Sequence, residues 1–499
     1  MELKETRNAQ DETEGAESAE EPRREPLVRP TTLFLGAVVL LAGALQLFLI
    51  GDKSFWLDEG ASFSFSRLPV GDLWDLAAGR QANMSLYYVL LHFWLEIDQG
   101  EAYIRLLSVL FSVGTVPLVY FIGQRLFSEM AGAFAAGLIS INAFVVQYSQ
   151  EARGYTLAMF LVTLSTYIFI RAVGQESTWM WIAYAIVSGL ALYAHFFAGF
   201  VVVAHAMGLV IKQRRQITLA AIGSFVAIVA ISLPLMLFVL FNDRGQIDWL
   251  DKPGPKETLD GLAELAGDGG YLLLAAYGLL IVASFVWKRP AGSWGVWLTS
   301  LWFLVPVGGS LVISLVKPLF LARYLLVAIP PLALFAGHGL TALRPAAARV
   351  VAGAVVVALA ATGLHSWYFD ARKEEWRPAA AYVLMNARPD DGIVLYAARM
   401  RRPFEYYVTL YEREGEAPAP VYPQGPWGAK VAPTTPPLKT SPMSRAVSDL
   451  SRVWLVLSHA GTGKGARQAV GAIKGVLSEN MRLESAREFH KVQVQLYAK

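Results

Sequence analysis

The sequence contains no cysteine, which excludes disulfide bonds, cysteine-based zinc sites and thiol nucleophiles. Charged residues are also scarce: they make up 17% of the 499 residues, whereas soluble domains usually carry about 25%. Hydrophobic residues make up 55%, and the mean hydropathy is +0.42. The net charge of +3 is spread over short loops and forms no basic face for nucleic acid. A large part of the chain is therefore predicted to lie in a membrane.

Long apolar segments predict an α-helical polytopic membrane protein with about eleven transmembrane helices. A membrane-spanning helix needs about 20 apolar residues. The candidate spans are 31–50, 102–124, 129–147, 154–171, two spans within 179–211 that divide near His195, 217–241, 269–287, 294–315, 322–341 and 346–364. The apolar segment Met84–Ile97 is shorter and contains His92, so it is predicted to be a re-entrant or interfacial helix.

The two ends of the chain differ in composition from this apolar part. Residues 1–30 are polar and rich in Glu, which is typical of a disordered tail. In the region 366–499, "DGIVLYA", "RVWLVLS" and "KVQVQLYA" read as strands, and helical segments lie between them. The sequence thus predicts a cytoplasmic tail (1–30), a transmembrane domain (31–365) whose first outer loop is 51–101, and a small extracytoplasmic α/β domain (366–499).

The distribution of basic residues predicts which side of the membrane each loop faces. If the N-terminus is inside, every predicted cytoplasmic segment carries at least one Lys or Arg, as the positive-inside rule requires. The same arrangement places four motifs on the outer face: the "DE" of the 51–83 loop, "SQEARGY" (149–155), "YAHFF" (193–197) and "KPLFLARY" (317–324). Most side chains capable of chemistry therefore gather on one side.

The first of these motifs is the adjacent acidic pair Asp58 and Glu59, which lies within "FWLDEGASFSFSRLP" (55–69). A carboxylate in a partly dehydrated pocket has a raised pKa and can accept a proton from an attacking hydroxyl. The alternative is a hydrated loop at the end of a helix. The aromatic neighbours favour the catalytic interpretation only modestly.

"SQEARGY" places Glu151, Arg153 and Tyr155 where one predicted span ends and the next begins. An arginine on the non-cytoplasmic side runs against the positive-inside bias, so an anion could compensate it. A guanidinium can hold a phosphate with two hydrogen bonds, although it can also snorkel to lipid headgroups. His195, between two aromatic clusters, could bind a phosphate or a metal, or could be a structural histidine.

Other outer-face cations extend this pattern. Arg105 opens the second span, and Lys317 and Arg323 flank "PLFLA", with Tyr324 directly after Arg323. Together with Arg153, these cations are predicted to form a rim that faces the acidic pair. Such a rim would hold a phosphate or pyrophosphate at the membrane surface.

One glycine-rich segment, "SHAGTGKGA" (458–466), follows a predicted strand and precedes a predicted helix. It lacks both the GxxxxGK[ST] spacing and the Ser or Thr after Lys464 that a phosphate-binding loop needs. It is predicted to be an ordinary turn, and the sequence offers no nucleotide site.

Several motifs, in order, carry a resemblance to a known family: "FWLDEG", "NMSLYYVLLHFWL", "GEAYIRLLSVLFS", "YSQEARGYTLAMFLVTLSTY", "YAHFF", "ARYLLVAIPPLALFAGHGL" and "EEWRPAAAYV". Over about 31–385 the chain resembles the bacterial polytopic glycosyltransferases of the GT-C superfamily. Within these it is similar to the group (family 39 type) related to protein O-mannosyltransferases and to the lipid A aminoarabinose transferase. It departs from the family's usual "PPLYY", which is "MSLYY" here, and from "DWR", which is "EWR".

The resemblance implies transfer of a hexosyl or pentosyl group from a polyprenyl-phosphate donor to an acceptor hydroxyl on a lipid, glycan or protein. The reaction would take place at the outer face of the bacterial inner membrane. Asp58 would activate the acceptor beside Glu59, Glu151 and Arg153 would be polar active-site residues, and Arg323 would meet the donor phosphate. The expected chemistry is an inverting displacement that needs no nucleotide. A divalent cation could bind the carboxylates, but the acidic pair alone does not require one.

The sequence is also compatible with two other functions. A lipid-linked-sugar polymerase or ligase would also act on such donors at the outer face. A flippase or transporter is the second alternative, although transporters usually place ionisable residues near the bilayer midplane and often contain repeated halves. An anchored binding protein would not need eleven spans.

Overall fold

The computed structural model describes residues 30–73, 83–175, 177–213, 217–241, 250–286, 293–413, 415–428, 440–458 and 464–499. All but the last residue of the predicted tail 1–30 lies outside these ranges, as does most of the predicted turn 458–466. The described part of the chain consists of a helical region, followed by a region that contains a β-sheet.

Helices follow one another from Pro30 to His365, and most of them are apolar. Most contain Leu, Val, Ala and Phe around their whole circumference, as expected of helices that face lipid or other helices. They are α1 (Pro30–Leu47), α2 (Leu57–Ser66), α3 (Ser85–Trp94), α4 (Glu101–Leu126), α5 (Glu129–Ser140), α6 (Ala143–Ser149), α7 (Tyr155–Gly174), α8 (Thr178–Ala194), α9 (Ala198–Gln213), α10 (Leu219–Phe241), α11 (Pro255–Ala266), α12 (Gly270–Val286), α13 (Ser293–Ser314), α14 (Ile329–Ala342, preceded by a 3₁₀ segment Ala322–Ala328) and α15 (Ala346–His365).

Within the described residues, six helices are long and apolar enough to cross a membrane. The number rises to eight if two bent pairs each count as one span: α5 with α6, bent by 58°, and α11 with α12, bent by 73°. Three further apolar helices, α1, α8 and α9, are shorter. The chain is thus a multi-pass membrane protein by this measure, and the total of eleven spans stays a prediction. The helix α3 has ten residues, too few to cross a bilayer alone.

Small residues allow the helices to approach closely. A Cβ atom on Gly123 of α4 would lie 2.5 Å from the Cα atom of Gly132 in α5, so neither position has room for a larger side chain. In membranes, where lipid is as apolar as the helices, such close contacts are a main source of helix association. Residues 325–342 are buried at every position, and Arg323 and Tyr324, just before them, are half-buried. Arg323 therefore sits at the beginning of the central segment of the bundle.

After α15, a short π-helical turn (Ser366–Asp370) leads into a five-stranded sheet with the strand order β2-β1-β3-β5-β4. The strands β1, β2 and β3 are parallel, whereas β5 runs antiparallel to both β3 and β4. The central strand β3 is buried at every position, as its apolar sequence predicts. The helices and strands of this sheet-containing region are α16 (Trp376–Asn386), β1 (Gly392–Tyr396), α17 (Arg401–Leu410), β2 (Ala419–Tyr422), α18 (Thr440–Ser448), β3 (Arg452–Ser458), α19 (Lys464–Asn480), β4 (Arg482–Phe489) and β5 (Val492–Ala498).

The helix α17 packs directly on α2. Phe55, just before α2, stacks on Tyr406 with a centroid distance of 4.2 Å, and Phe63 meets the same ring edge-on at 4.8 Å. The backbone N–H of Phe55 donates to the hydroxyl of Tyr407 over 2.8 Å. This contact joins the sheet-containing region to the loop that carries the acidic pair.

Candidate active site

The acidic pair lies in the first turn of α2. Negative charge in this position is favourable because the N-terminus of a helix carries a partial positive charge. Consecutive residues of a helix point about 100° apart, so the two carboxylates enter different surroundings. Glu59 is fully buried, whereas one quarter of the Asp58 side chain is exposed.

Glu59 lies in a network of hydrogen bonds and ion pairs. Its carboxylate accepts two hydrogen bonds from Arg105, of 2.7 and 2.8 Å, and one from the backbone N–H of Ala152 at 3.1 Å. The ammonium group of Lys373 lies 3.2 Å from Glu59 Oε2. Burial alone would raise the pKa of this carboxyl, but Arg105 and Lys373 outweigh burial and lower it to about 2. Glu59 is therefore ionised at every physiological pH.

Arg105 was expected on a cationic rim, and the structure instead places it beneath α2. Only 1% of the side chain is exposed. Its guanidinium group donates to both oxygens of Glu59 and to three backbone carbonyls of the preceding loop, those of Ile50, Lys53 and Ser54. These bonds use all five N–H groups of an arginine. No donor remains for a substrate, so Arg105 fixes the loop and α2.

Lys373 joins the two buried carboxylates. Its Nζ atom lies 3.2 Å from Glu59 and 3.1 Å from Glu151. Burial raises the pKa of Glu151 despite the attraction of Lys373, and the nearby charge of Glu59 raises it further. Lys373 was not predicted as a site residue. The only signal for it in the sequence is the charged run "ARKEEWR" after the last apolar segment.

Asp58 faces a different set of groups. Its carboxylate lies 3.8 Å from the guanidinium of Arg323. Arg153 approaches the same turn of α2: its Nη1 atom is 3.2 Å from the hydroxyl of Tyr88, 3.4 Å from Ser62 Oγ and 3.5 Å from the backbone oxygen of Asp58. The two arginines predicted to meet a phosphate thus both lie close to Asp58, Arg323 at its carboxylate and Arg153 at its backbone oxygen.

Aromatic rings pack beside these arginines. The ring of His195 lies 5.7 Å from that of Tyr155 and 5.1 Å from that of Tyr324. Arg153 lies over Tyr155 at 5.7 Å, and Arg323 lies over Tyr324 at 5.8 Å. Burial, and then the two arginines, lower the pKa of His195 to about 3, so its ring is neutral and adds no charge.

The structure therefore brings together Asp58, Arg153 and Arg323 with the aromatic group of Tyr155, His195 and Tyr324, and it places Glu59, Glu151 and Arg105 in the adjoining buried network. Lys317 lies just beyond the end of α13, with its backbone N–H bonded to Ile313. Besides Lys373, the sequence analysis did not identify Tyr88, which bonds to Arg153, or Arg402 of α17.

The surroundings of Glu59 argue against a metal ion held jointly by Asp58 and Glu59. Both oxygens of Glu59 are bound by cations, so the adjacent acidic pair does not present two free carboxylates in one direction. Across the part of the chain that the structure describes, no group of three or more His, Asp or Glu side chains is arranged to hold a metal ion. The acidic pair does not fit the role of a joint metal ligand.

The sequence was compared with models of protein families. Residues 85–241 match the model of the dolichyl-phosphate-mannose-protein mannosyltransferase family. This segment includes α3, "SQEARGY" and His195. No curated protein matches the sequence significantly.

Comparison with solved structures gives matches over almost the whole chain. The crystal structure of ArnT from Cupriavidus metallidurans bound to undecaprenyl phosphate has a TM-score of 0.60 and 14% identity, with 93% of this chain and 97% of ArnT covered. The oligosaccharyltransferase of Archaeoglobus fulgidus, tethered with an acceptor peptide, has a TM-score of 0.54 and 10% identity, with 86% and 69% covered. The arabinofuranosyltransferase AftD from Mycobacteria has a TM-score of 0.52 and 12% identity, with 94% and 39% covered. The chain therefore has the GT-C fold, in an arrangement like that of ArnT.

Proposed function

We propose that the protein transfers a sugar from a polyprenyl-phosphate-linked donor to an acceptor hydroxyl. The observation that carries this proposal is the partly exposed carboxylate of Asp58 beside two arginines, with Arg323 at 3.8 Å and Arg153 bound to the same turn of α2. Sugar transfer from a lipid phosphate needs a base for the hydroxyl and positive charge for the departing phosphate. The structural relatives support a lipid phosphate as the ligand, because ArnT was solved with undecaprenyl phosphate and an archaeal oligosaccharyltransferase with dolichol-phosphate.

In the proposed reaction, Asp58 accepts the proton of the acceptor hydroxyl as its oxygen attacks the anomeric carbon of the sugar. The bond between that carbon and the phosphate oxygen breaks on the opposite face, so the configuration inverts. The electron pair leaves with the polyprenyl phosphate, whose negative charge Arg153 and Arg323 stabilise. The products are the glycosylated acceptor and polyprenyl phosphate, and the proton passes from Asp58 to water.

Of the two adjacent acids, Asp58 is the better candidate for the base. Glu59 has a pKa of about 2 and is bound by Arg105 and Lys373, so it has little tendency to take a proton near neutral pH. We assign Glu59 a positioning role: it anchors the first turn of α2 and thereby sets the direction of Asp58. The neutral aromatic group of Tyr155, His195 and Tyr324 would form one wall of the sugar pocket.

The cellular setting belongs to the same proposal. The basic residues of alternate loops support a cytoplasmic N-terminus, and the resemblance to bacterial transferases supports a place in the inner membrane. The site and the sheet-containing region 366–499 would then face the extracytoplasmic side. The acceptor would be a lipid, glycan or protein of the cell envelope, and the polymerase or ligase alternative differs only in that acceptor.

A direct test is to incubate the purified protein in detergent with a panel of polyprenyl-phosphate sugars and with heat-treated membrane extract, which supplies lipid, glycan and protein acceptors. We expect one donor to be consumed, with polyprenyl phosphate released in equal amount, and D58N to be inactive with the same donor. Parallel reactions with and without EDTA would reveal any need for a divalent cation. A panel in which every donor survives, or in which D58N consumes the donor as fast as the wild type, would contradict the proposal.

A further inference from the structure

The helix α17, which belongs to the sheet-containing region, brings a further arginine to the acidic pair. Arg402 is partly buried, and its guanidinium group lies over the ring of Phe65 of α2 at 5.0 Å. The ring of Phe65 lies 5.3 Å from that of Tyr88, and the hydroxyl of Tyr88 accepts a hydrogen bond from Arg153 beside Asp58. Arg402 therefore stands at the edge of the site built by the transmembrane region.

The backbone of Arg402 is held in this position by a close contact with α2. A Cβ atom on Gly60 would lie 2.8 Å from the backbone nitrogen of Pro403 and 3.0 Å from the carbonyl carbon of Arg402. Gly60 follows Asp58 by two residues, so α17 rests on the same helical turn that carries the proposed base. The stack of Phe55 on Tyr406 fixes the next turn of α17. The position of Arg402 is thus set by packing on α2.

The balance of charge leaves room for an anion. Glu59 is matched by Arg105, and Glu151 is matched by Lys373. Near Asp58, the guanidinium groups of Arg153, Arg323 and Arg402 outnumber the two carboxylates, Asp58 and Glu264, that lie close to them. Burial lowers the pKa of Arg402, as expected of a cation that is partly removed from water without enough negative charge beside it.

We propose that the sheet-containing region completes the anion site, and that Arg402 binds the phosphate of the lipid-linked donor together with Arg153 and Arg323. This inference rests on the proposed function and names the part of the protein that supplies the third ligand. A planar guanidinium suits a phosphate because it can offer two parallel hydrogen bonds. As the sugar leaves, the charge on the phosphate grows, and Arg402 would stabilise it from the side opposite the membrane helices.

The first test measures binding without catalysis. Full-length protein in detergent is titrated with polyprenyl phosphate, using R402Q, R402K and, as the matched control, R399Q, since Arg399 is an exposed neighbour of Arg402. A hydrogen bond to a charged group is worth enough for R402Q to weaken binding by about tenfold or more. We expect R402K to recover part of the affinity and R399Q to bind as the wild type does. Unchanged binding in R402Q, or an equal loss in R399Q, would overturn the inference.

A second variant guards against a folding artefact. G60A keeps Arg402 but forces α17 away from α2, so we expect it to weaken binding of polyprenyl phosphate while the thermal unfolding of the membrane region is retained. Retained affinity in a folded G60A protein would contradict the coupling of α17 to the anion site. The same titrations at rising salt should show a smaller salt dependence for R402Q than for R399Q.

Steady-state kinetics distinguish the two sources of a phosphate. If Arg402 binds the donor, R402Q raises the KM for the donor and leaves that for the acceptor nearly unchanged. If only the KM for the acceptor rises, Arg402 binds a phosphate on the acceptor, which overturns the inference. A wild-type protein that binds polyprenyl phosphate through Arg402 but consumes no donor would refute the proposed function alone. Active transfer that R402Q does not alter would refute the inference alone.

Discussion

The guanidinium of Arg105 and the carboxylate of Glu59 form two hydrogen bonds of 2.7 and 2.8 Å, and both side chains are almost completely buried. This pair joins the first turn of α2 to the beginning of α4. Because Arg105 also bonds to three carbonyls of the loop before α2, the pair determines where the neighbouring Asp58 points. Glu59 and Arg105 therefore act on the chemistry through geometry.

Removing the charge of Glu59 should destabilise the protein strongly. E59Q leaves Arg105 and Lys373 buried with reduced compensation, and breaking a buried ion pair in this way costs about 3–5 kcal/mol. The measurement is thermal or denaturant unfolding in detergent. The control is D260N, which removes an exposed pair with Lys256 and should leave stability almost unchanged. Equal effects of the two variants would contradict the structural role of Glu59.

Removing the charge of Asp58 should abolish most of the activity and leave the stability almost unchanged. D58N is expected to lower the rate of transfer by about 10²-fold or more, the usual contribution of a general base, while membrane insertion and unfolding temperature persist. D52N is a suitable control because Asp52 is exposed on the same loop. Transfer at the wild-type rate by a well-folded D58N protein would remove Asp58 as the base.

Lys373 and Glu151 should show coupled effects on stability. K373M leaves the buried carboxylates of Glu59 and Glu151 facing each other without their shared cation, at a cost on the order of 2 kcal/mol. In the double variant K373M/E151Q one of these charges is gone, so much of the loss should be recovered. Unfolding measurements on the wild type, K373M, E151Q and the double variant form a double-mutant cycle, which gives the coupling free energy directly. Strict additivity would show that Lys373 does not join the two carboxylates.

The raised pKa of Glu151 predicts a dependence of stability on pH. A carboxyl whose pKa is raised above its usual value of 4.5 binds its proton more tightly in the folded protein. Its stabilising contribution is complete below that value and is lost as the pH rises through the raised pKa. The unfolding temperature of the wild type should therefore fall, relative to that of E151Q, as the pH rises above 4.5.

For this comparison, E479Q removes an exposed carboxylate on α19 and serves as the control. Its profile should run parallel to that of the wild type between pH 4 and pH 8. If E151Q and E479Q give identical profiles, the burial of Glu151 does not influence stability in the way described.

Single cysteines can test the proposed sidedness, since the chain has none of its own. Glu96 lies beyond α3 and Ala347 lies at the start of α15, and both are exposed. A membrane-impermeant thiol reagent added to intact cells should label E96C readily and A347C only after the membrane is opened. Labelling of A347C from outside would reverse the topology.

Sequence reasoning predicted the part of the site that depends on local motifs. Asp58, Arg153 and Arg323 lie at the ends of apolar segments, and a bundle whose segments end on one side must bring such residues near one another. The same reasoning placed Arg105 on the rim of the site, because the sequence does not show that the carboxylate of Glu59 turns inward. Neighbouring residues of a helix point about 100° apart, so Asp58 can face the site while Glu59 faces the interior and holds Arg105 there.

Lys373 and Arg402 could not be predicted in this way. Each reaches α2 from the region that follows the last apolar segment, and contacts between such distant parts of a chain leave no periodic pattern in one sequence. Their neighbours give only weak signals: a charged run before α16, and an arginine pair at the start of α17. Packing at Gly60 and Phe55 decides which of these charges meets the site.

The contact of α17 with α2 has a consequence for engineering. Chimeras that exchange the C-terminal region between related transferases are an obvious route to altered donor or acceptor preference. Here the glycine at 60, the ring pair Phe55 and Tyr406, and Lys373 in the connecting segment tie that region to the turn bearing the proposed base. A graft would have to carry the first outer loop with it, because the two parts form a single interlocking surface.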